Sequence, residues 1–238
     1  MDNSYLAKLD QDNIHVTTRP YLDKVNSHTT AYVVDIFGEE VTVLPGVMSP
    51  KYDWAGVYMI DYLPKDFSNL SVLELGPGSG LVSLFIGLRG AKSITALDIN
   101  PVAVENTRIN LKNHNIKNFE VMVSDVFSAV PGELYDRIVF NLPYHDSVPQ
   151  NDLEKGVIDE DYGAMKNFFA EAKDYLTTDG LLYVGFSQSG KLDVFTEELN
   201  KNNLEIVDFE ELNNWEKGDY KGEDFHYNCQ VYTLRYKK

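Results

Sequence analysis

The sequence has few features of a secreted, membrane or metal-binding protein. Among its 238 residues there is one cysteine, Cys229, which cannot form an intrachain disulfide and offers no cysteine cluster for a metal ion. Hydrophobic runs stay well short of the roughly 18–20 residues that a membrane-spanning helix needs. Residues 1–4 lack the basic and apolar regions of a secretory signal. We therefore expect a cytoplasmic protein with no membrane segment and no metal site.

Basic residues are also scarce. The chain has 21 Lys and Arg against 37 Asp and Glu, which gives a formal net charge of −16. Such a field repels a phosphate backbone, so nucleic-acid substrates are disfavoured without being excluded. The excess acid also keeps a protein soluble. With 43% hydrophobic residues and no repeats, the length fits one large domain or a domain with a small appendage.

A glycine-rich turn is the most informative stretch that the sequence does contain. An apolar run at residues 71–75 predicts a buried strand, and residues 81–88 have helical spacing. Between them, Gly76, Gly78 and Gly80 occupy every second position. Glycine lets the backbone turn sharply where a side chain would clash with a bound ligand.

An acidic residue follows at the distance expected for a nucleoside site. A second apolar run, residues 93–97, ends in Asp98, about 20 residues past the turn. A carboxylate at the tip of the second strand can accept hydrogen bonds from ribose hydroxyls. The pair predicts a nucleoside cofactor lying across the first two strands of an open α/β sheet, although a merely structural turn is the alternative. The glycine spacing differs from the nicotinamide fingerprint G-x-G-x-x-G.

The turn and the preceding Glu74 resemble the E/D-x-G-x-G-x-G signature of class I S-adenosylmethionine-dependent methyltransferases. The resemblance implies a Rossmann-like, seven-stranded, mostly parallel sheet with an antiparallel last strand, and S-adenosyl-L-methionine as cofactor. It implies that Glu74 and the turn hold the methionine part, that Asp98 holds the ribose, and that Asp125 with the backbone of Val126 holds the adenine. The full set of cofactor contacts expected on this basis is Tyr52, Glu74, Gly76, Pro77, Gly78, Asp98, Ile99, Asp125, Val126 and Asn141. Alternatively, residues 124–125 form a simple turn and Tyr52 packs on the core.

A second motif, Asn141-Leu142-Pro143-Tyr144, follows the predicted strand 137–140. It resembles the N/D-P-P-Y/F/W loop of methyltransferases that act on planar nitrogen, in adenine, cytosine or the glutamine side chain of release factors. The lone pair of such a nitrogen is delocalised, which makes it a poor nucleophile. The Asn141 side-chain oxygen and the Leu142 carbonyl could each accept an N–H hydrogen bond and direct the lone pair toward the methyl group. Pro143 would stiffen the turn, and Tyr144 would stack on the substrate.

The second position of this motif departs from the family pattern, because Leu142 replaces a proline. The backbone carbonyl is retained, so the predicted mechanism is still possible. The change leaves the rigidity of the loop, and with it the substrate class, less defined. The alternative is an ordinary exit from a strand. Residues 145–161 follow as an acidic loop that we place at the mouth of the site.

The remaining segments complete the predicted organisation. Residues 1–50 form an extension that contains a β-hairpin (31–37 and 40–44) and a short helix (6–13), and residues 51–238 form the methyltransferase domain. Helices are expected over residues 56–63, 101–114, 162–176 and 191–200, and strands over 119–123, 181–186, 204–209 and 229–236. Residues 213–228 form a polar excursion with interspersed aromatic residues.

These observations predict N-methylation of a planar amide or amine nitrogen on a protein or a small molecule. The alternatives are methylation of RNA or of an oxygen nucleophile, and a non-catalytic factor that binds S-adenosylmethionine. An aminopropyl transferase would require an acidic residue where Asn141 stands. The sequence does not define an oligomeric state.

Overall fold

The structure, a computed structural model, describes residues 18–211 and 229–237. Its strands in chain order are β1 (Tyr32–Ile36), β2 (Glu39–Val43), β3 (Ser71–Leu75), β4 (Ser93–Asp98), β5 (Phe119–Val123), β6 (Tyr135–Asn141), β7 (Leu176–Ser187), β8 (Leu204–Glu211) and β9 (Cys229–Tyr236). Its helices are α1 (Thr18–Asn26), α2 (Ala55–Tyr62), α3 (Leu81–Leu88), α4 (Pro101–Asn113), α5 (Gly163–Glu171) and α6 (Leu192–Lys201).

A seven-stranded sheet in the order β5-β4-β3-β6-β7-β9-β8 runs through the protein. The pairs between β5 and β7 are parallel. Strand β9 is antiparallel to both of its neighbours, β7 and β8. The predicted fold, a mostly parallel sheet with an antiparallel last strand, is confirmed.

Helices cover both faces of this sheet because successive side chains of each central strand point to opposite sides. In β3, Val72 packs in the core formed with α2, α3 and α4, and the next residue, Leu73, packs in the core formed with α5 and α6. Both side chains are fully buried. The order of hydrophobic residues therefore sets a three-layer α/β/α architecture.

The predicted N-terminal hairpin is confirmed as an antiparallel pair of β1 and β2. Its turn uses Phe37 and Gly38, both in the left-handed region (φ 54° and 86°), as a two-residue hairpin turn requires. Ile36 and Val41 are buried in the core on the α2–α3–α4 side. The division of the chain at residue 50 stays a prediction.

Two buried asparagines of α4 bind the hairpin to the glycine turn. The side-chain nitrogens of Asn106 and Asn110 both donate to the carbonyls of Thr42 and Ser79, over 2.7 to 3.1 Å. Their side-chain oxygens accept from the backbone N–H groups of Leu44 (2.7 Å) and Thr42 (2.9 Å). Both side chains are fully buried, and each one both donates and accepts hydrogen bonds. This network therefore fixes β2, α4 and the turn relative to one another.

One helix prediction is wrong at its C-terminal end. The predicted helix 162–176 ends as α5 at Glu171, and a 3₁₀ turn continues to Tyr175. Leu176 instead pairs with Tyr135 and begins β7, five residues before the predicted strand. The predicted helix 6–13 and the excursion 213–228 lie outside the described residues. Among the helices that the structure describes, none is long and apolar enough to cross a membrane.

Candidate functional site

A cavity of about 420 Å³ opens where β3, β4, β5 and β6 end at the carboxyl edge of the sheet. The chain passes from β3 to β4 on one side, and β6 lies on the other side of β3, so the order of strands reverses at this point. Open α/β sheets bind ligands at such a reversal. Of the residues predicted from the sequence, those that line the cavity are Glu74, Gly76, Pro77, Gly78, Asp98, Ile99, Asp125, Val126, Asn141 and Pro143.

Asp98 is held rigidly at the tip of β4. One carboxylate oxygen accepts from the backbone N–H of Gly78 at 3.0 Å, and the other accepts from that of Asn100 at 2.8 Å. Burial raises the pKa of this carboxyl to about 6, and the two backbone N–H groups oppose that rise. The side chain therefore links the glycine turn to the end of β4 and presents a carboxylate to the cavity at neutral pH.

Glu74 lies deeper, in β3, and is 4% exposed. Burial raises the pKa of its carboxyl to about 8; the Ser83 hydroxyl, which donates to it, lowers that pKa, and the charge of Asp98 raises it further. In the absence of a ligand this carboxyl is mostly protonated at pH 7. Asp53, a third carboxyl in the lining, also has a pKa raised by burial.

The three glycines of the turn have different surroundings, although all have positive φ. A Cβ at Gly80 would lie 2.7 Å from the backbone Cα of Thr107 in α4, and one at Gly76 would lie 3.2 Å from the Phe140 ring. At Gly78 the nearest atom would be the Cβ of Met48 at 3.9 Å, so the space there is open. Gly80 thus permits close packing of α4, and Gly78 leaves room on the cavity side.

The loop after β5 holds Val126 in a strained conformation. Val126 has φ 45°, which is rare for a β-branched residue. The Ser124 hydroxyl donates to the Val126 carbonyl at 2.9 Å, and the Asp125 backbone N–H donates to the Ser128 hydroxyl at 3.0 Å. Strain of this kind collects at ligand-binding loops, and Ser124, Asp125 and Val126 all line the cavity.

The turn after β6 brings part of the second motif into the same cavity. Asn141 is half-buried and lines it together with Pro143. The Leu142 side chain is 1% exposed and packs in the α5–α6 core, and its backbone N–H donates to the carbonyl of Gly185 at 3.0 Å. The role predicted for Leu142 concerns its backbone carbonyl, so burial of its side chain does not affect that prediction.

Two aromatic residues predicted at the site lie outside the cavity lining. Tyr144 packs against the α5–α6 core, with its ring 4.4 Å from that of His145, because its backbone N–H donates to the Val157 carbonyl and turns the chain away. The Tyr52 hydroxyl lies 2.8 Å from the His28 Nε2, and its ring packs beside the cluster of α1 and residues 153–158. The ligand contacts predicted for these two rings stay predictions.

The acidic loop after the second motif forms a large part of the wall, as its predicted position at the mouth of the site suggested. Helix α1 packs on it: the Thr18 hydroxyl lies 2.5 Å from the His145 Nε2, and Arg19 pairs with the buried Glu154. Burial lowers the pKa of His145 to about 4, so this ring is neutral at physiological pH.

Further lining residues, which no sequence motif indicates, come from this loop and from residues 48–56. The former include Asp152, Leu153, Lys155, Gly156, Ile158, Asp159 and Glu160, and the latter include Met48, Ser49, Pro50, Asp53 and Gly56. Only their position in the sequence pointed to these residues. Both segments flank predicted motifs, and both contain proline, glycine and acidic residues.

The family model for the methyltransferase small domain matches residues 39–208. A protein of Methanocaldococcus jannaschii assigned as a protein N5-glutamine methyltransferase is 37% identical over 123 residues, which cover 52% of this chain and 58% of that protein. A release factor glutamine methyltransferase of Shewanella oneidensis is 34% identical over 154 residues, which cover 59% of this chain and 54% of that protein. The chain therefore spans between half and three-fifths of the length of these relatives.

Solved structures agree on the fold. The 16S rRNA N2 G1207 methyltransferase of T. thermophilus, in complex with AdoMet and guanosine, superposes with a TM-score of 0.62 at 21% identity, over 87% of this chain and 50% of that one. The extent of the family match, together with the glycine turn, Asp98 and the turn after β6 in one cavity, shows that the chain belongs to the methyltransferase small-domain family.

Proposed function

We propose that this protein is an S-adenosylmethionine-dependent methyltransferase that methylates a planar amide or amine nitrogen. The observation that carries the proposal is that the glycine turn with Asp98 and the turn with Asn141 open into the same cavity. The first set of residues suits a nucleoside cofactor, and the second suits a nitrogen acceptor. A methyltransferase needs both ligands side by side.

The cavity suits a cationic cofactor. Its ionisable lining residues are Asp53, Glu74, Asp98, Asp125, Asp152, Asp159, Glu160 and Lys155. Lys155 is paired with Asp152 at 2.8 Å, so the lining is strongly acidic overall. S-adenosylmethionine carries a sulfonium and an ammonium group and supplies an activated methyl group when bound. A cation beside Glu74 would favour ionisation of this otherwise protonated carboxyl.

Each part of the cavity has a task in this proposal. Asp98 accepts hydrogen bonds from the ribose hydroxyls, and the backbone N–H groups of Gly78 and Asn100 hold its carboxylate in place. Asp125 and the strained Val126 bind the adenine, and Gly78 leaves the open space that the methionine part requires. Asn141 and the Leu142 carbonyl accept the two N–H groups of the acceptor and direct the nitrogen lone pair toward the methyl group.

For the acceptor, we propose a glutamine side chain of a protein. The two relatives described above carry names of glutamine methyltransferases, and the turn Asn141–Pro143 provides two acceptors for one amide NH₂. An acidic lining is unfavourable for a phosphate-bearing acceptor. The T. thermophilus enzyme nevertheless acts on rRNA, and RNA is therefore the comparison in the acceptor assay.

Calorimetric titration of S-adenosylmethionine into the wild-type protein and into Asp98→Ala tests the cofactor. We expect binding to the wild type and a loss of affinity of about 10-fold or more in the variant, since a buried site loses a charged hydrogen-bond acceptor. Glu105→Ala, at an exposed residue of α4, serves as the control. Absence of binding to the wild type would overturn the proposal.

Transfer of a labelled methyl group to a recombinant bacterial release factor and, in parallel, to ribosomal RNA tests the acceptor. We expect label in the protein, at a glutamine located by proteolysis and peptide mapping, and released as methylamine on acid hydrolysis. We expect Asn141→Ala to lower the rate by about 100-fold or more. Label that enters RNA while the release factor stays unlabelled would replace the protein acceptor with RNA.

A further inference from the structure

A glycine of β7 lies directly against the residue that we assign to orient the acceptor. Gly185 is the register partner of Asn141 across the β6–β7 pair. It is buried within β7, at a position where no left-handed conformation demands a glycine. Glycine weakens a strand interior, and it is found there when another group must approach closely.

The group that approaches Gly185 is the carboxamide of Asn141. A Cβ at position 185 would overlap the Asn141 Oδ1 and would lie 3.3 Å from the Asn141 Cγ. It would also lie 2.9 Å from the terminal methyl of Met59. The carboxamide therefore rests on the bare backbone of β7, and a methyl group at this position would force it to move.

The same glycine also positions the second acceptor group. Its carbonyl accepts the backbone N–H of Leu142 at 3.0 Å, beyond the end of β6. That bond fixes the peptide plane that precedes the Leu142 carbonyl. One residue thus positions both the Asn141 side chain and the start of the turn that carries the Leu142 carbonyl.

We infer that Gly185 is a positioning residue for methyl transfer, one that holds the Asn141 carboxamide in the orientation that receives the acceptor nitrogen. The inference rests on the proposed function. It predicts that a methyl group at position 185 slows methyl transfer through Asn141 without removing the cofactor site, whose Asp98 and glycine turn lie at the ends of β4 and β3.

The test is Gly185→Ala, measured for cofactor affinity by calorimetry and for methyl transfer to the release factor. We expect a cofactor Kd within about 3-fold of the wild type and a kcat lower by about 30-fold or more. Gly180→Ala is the matched control, because a Cβ there is equally crowded, by Leu176, in the same strand but away from Asn141. Its kcat should stay within about 3-fold of the wild type.

A double-mutant cycle separates positioning from damage to the fold. In an Asn141→Ala background, Gly185→Ala should change kcat by less than about 3-fold, because the side chain through which it acts is gone. Combining Gly185→Ala with Met59→Leu removes the terminal methyl of the second crowded contact at little cost to packing, and provides a second variant to measure if Gly185→Ala alone does not fold. That variant should remain slow, since the contact with Asn141 persists.

A readout independent of the acceptor completes the test. In ¹⁵N spectra of the full chain, the side-chain NH₂ resonances of Asn141 should shift in Gly185→Ala and stay unchanged in Gly180→Ala. Unshifted Asn141 resonances, or a Gly185→Ala enzyme as fast as the wild type, would overturn the inference while the proposed function stands. A wild-type protein that neither binds the cofactor nor transfers the methyl group would overturn both.

Discussion

At the scale of single residues, Glu74 is a carboxyl of the site whose pKa burial raises far above its ordinary value. Its pKa of about 8 lies above its ordinary value, so the folded protein holds this proton over a range where the unfolded chain has released it. Stability conferred in this way is present at low pH and is lost as the pH rises toward 8. The raised pKa of Asp98 likewise makes stability fall with rising pH, but only up to about pH 6. The lowered pKa of His145 makes stability fall as the pH drops below about 6.5.

The window from pH 6.5 to 8 therefore isolates Glu74 among these three groups. In this window we expect the ligand-free wild type to lose about 1 to 2 kcal/mol of unfolding free energy relative to Glu74→Gln, which cannot ionise. Urea unfolding of both proteins at the two pH values measures the difference. Parallel stabilities at both pH values would contradict a raised pKa for Glu74.

The glycines of the turn give a second residue-scale prediction, because the structure separates their tasks. Gly78→Ala and Gly80→Ala both incur the strain of positive φ, about 1 to 2 kcal/mol. Only Gly80→Ala also drives a methyl group into the α4 backbone at Thr107. We expect Gly80→Ala to lower the unfolding free energy by about 3 kcal/mol or more, and Gly78→Ala by about 1 to 2.

In cofactor binding, Gly78→Ala should be the more affected of the two variants. Gly78→Ala places its methyl group on the open side of the turn, so we expect it to lower cofactor affinity while the protein stays folded. Thermal unfolding and cofactor titration of the pair provide the comparison. Equal loss of stability in both variants would show that the contact with Thr107 does not limit packing.

Residues predicted from the sequence line the cavity where their position depends on the local chain, and the roles assigned to them stay predictions. Glycines at a sharp turn and acids at strand tips are placed by the strands beside them, and these residues line the cavity. Tyr52 and Tyr144 fall outside the lining because distant contacts, with His28 and with Val157, decide their directions. The contact between Gly185 and Asn141 likewise depends on strand register, which one sequence does not specify.

At the scale of elements, the asparagine pair of α4 decides how the hairpin is attached. Replacing Asn110 with Ala leaves the partly buried N–H of Thr42 without its side-chain acceptor, while Asn106 still donates to the Ser79 carbonyl. We expect a loss of about 2 kcal/mol in unfolding free energy. Asn113→Ala, at an exposed position of the same helix, is the control and should stay within about 0.5 kcal/mol.

Hydrogen exchange would show where that loss acts. Amides of β1 and β2 should exchange faster in Asn110→Ala than in Asn113→Ala, because the hairpin loses one of its bonds to α4. Unchanged protection of the hairpin would mean that its packing through Ile36 and Val41 alone holds it in place.

Element boundaries also show the limit of local reasoning. Helices α3 and α4 begin and end as their patterns predict, because Gly80, Asn100 and Gly90 mark their ends. The predicted helix 162–176 failed because Leu176 pairs with Tyr135, about 40 positions earlier in the chain. Side-chain periodicity does not reveal that pairing.

At the scale of the whole molecule, the negative charge disfavours binding of nucleic acid. With a net charge of −16 and an acidic cavity lining, we expect binding to RNA weaker than about 10⁻⁴ M at physiological salt, the weak end of non-specific binding. Filter binding of a ribosomal RNA fragment at two salt concentrations measures this. Tighter binding that weakens as salt increases would instead reveal a basic surface on the folded protein.

The position of β9 has a consequence for how the protein is made. This strand follows β8 in the chain but lies between β7 and β8 in the sheet, and Val231 and Leu234 are fully buried within it. Until the ribosome has released residues 229–236, β7 and β8 have no common partner and β7 exposes an unpaired edge. The nascent chain can therefore build its cofactor-side strands early, but it can complete the sheet only after the last of those residues has been translated.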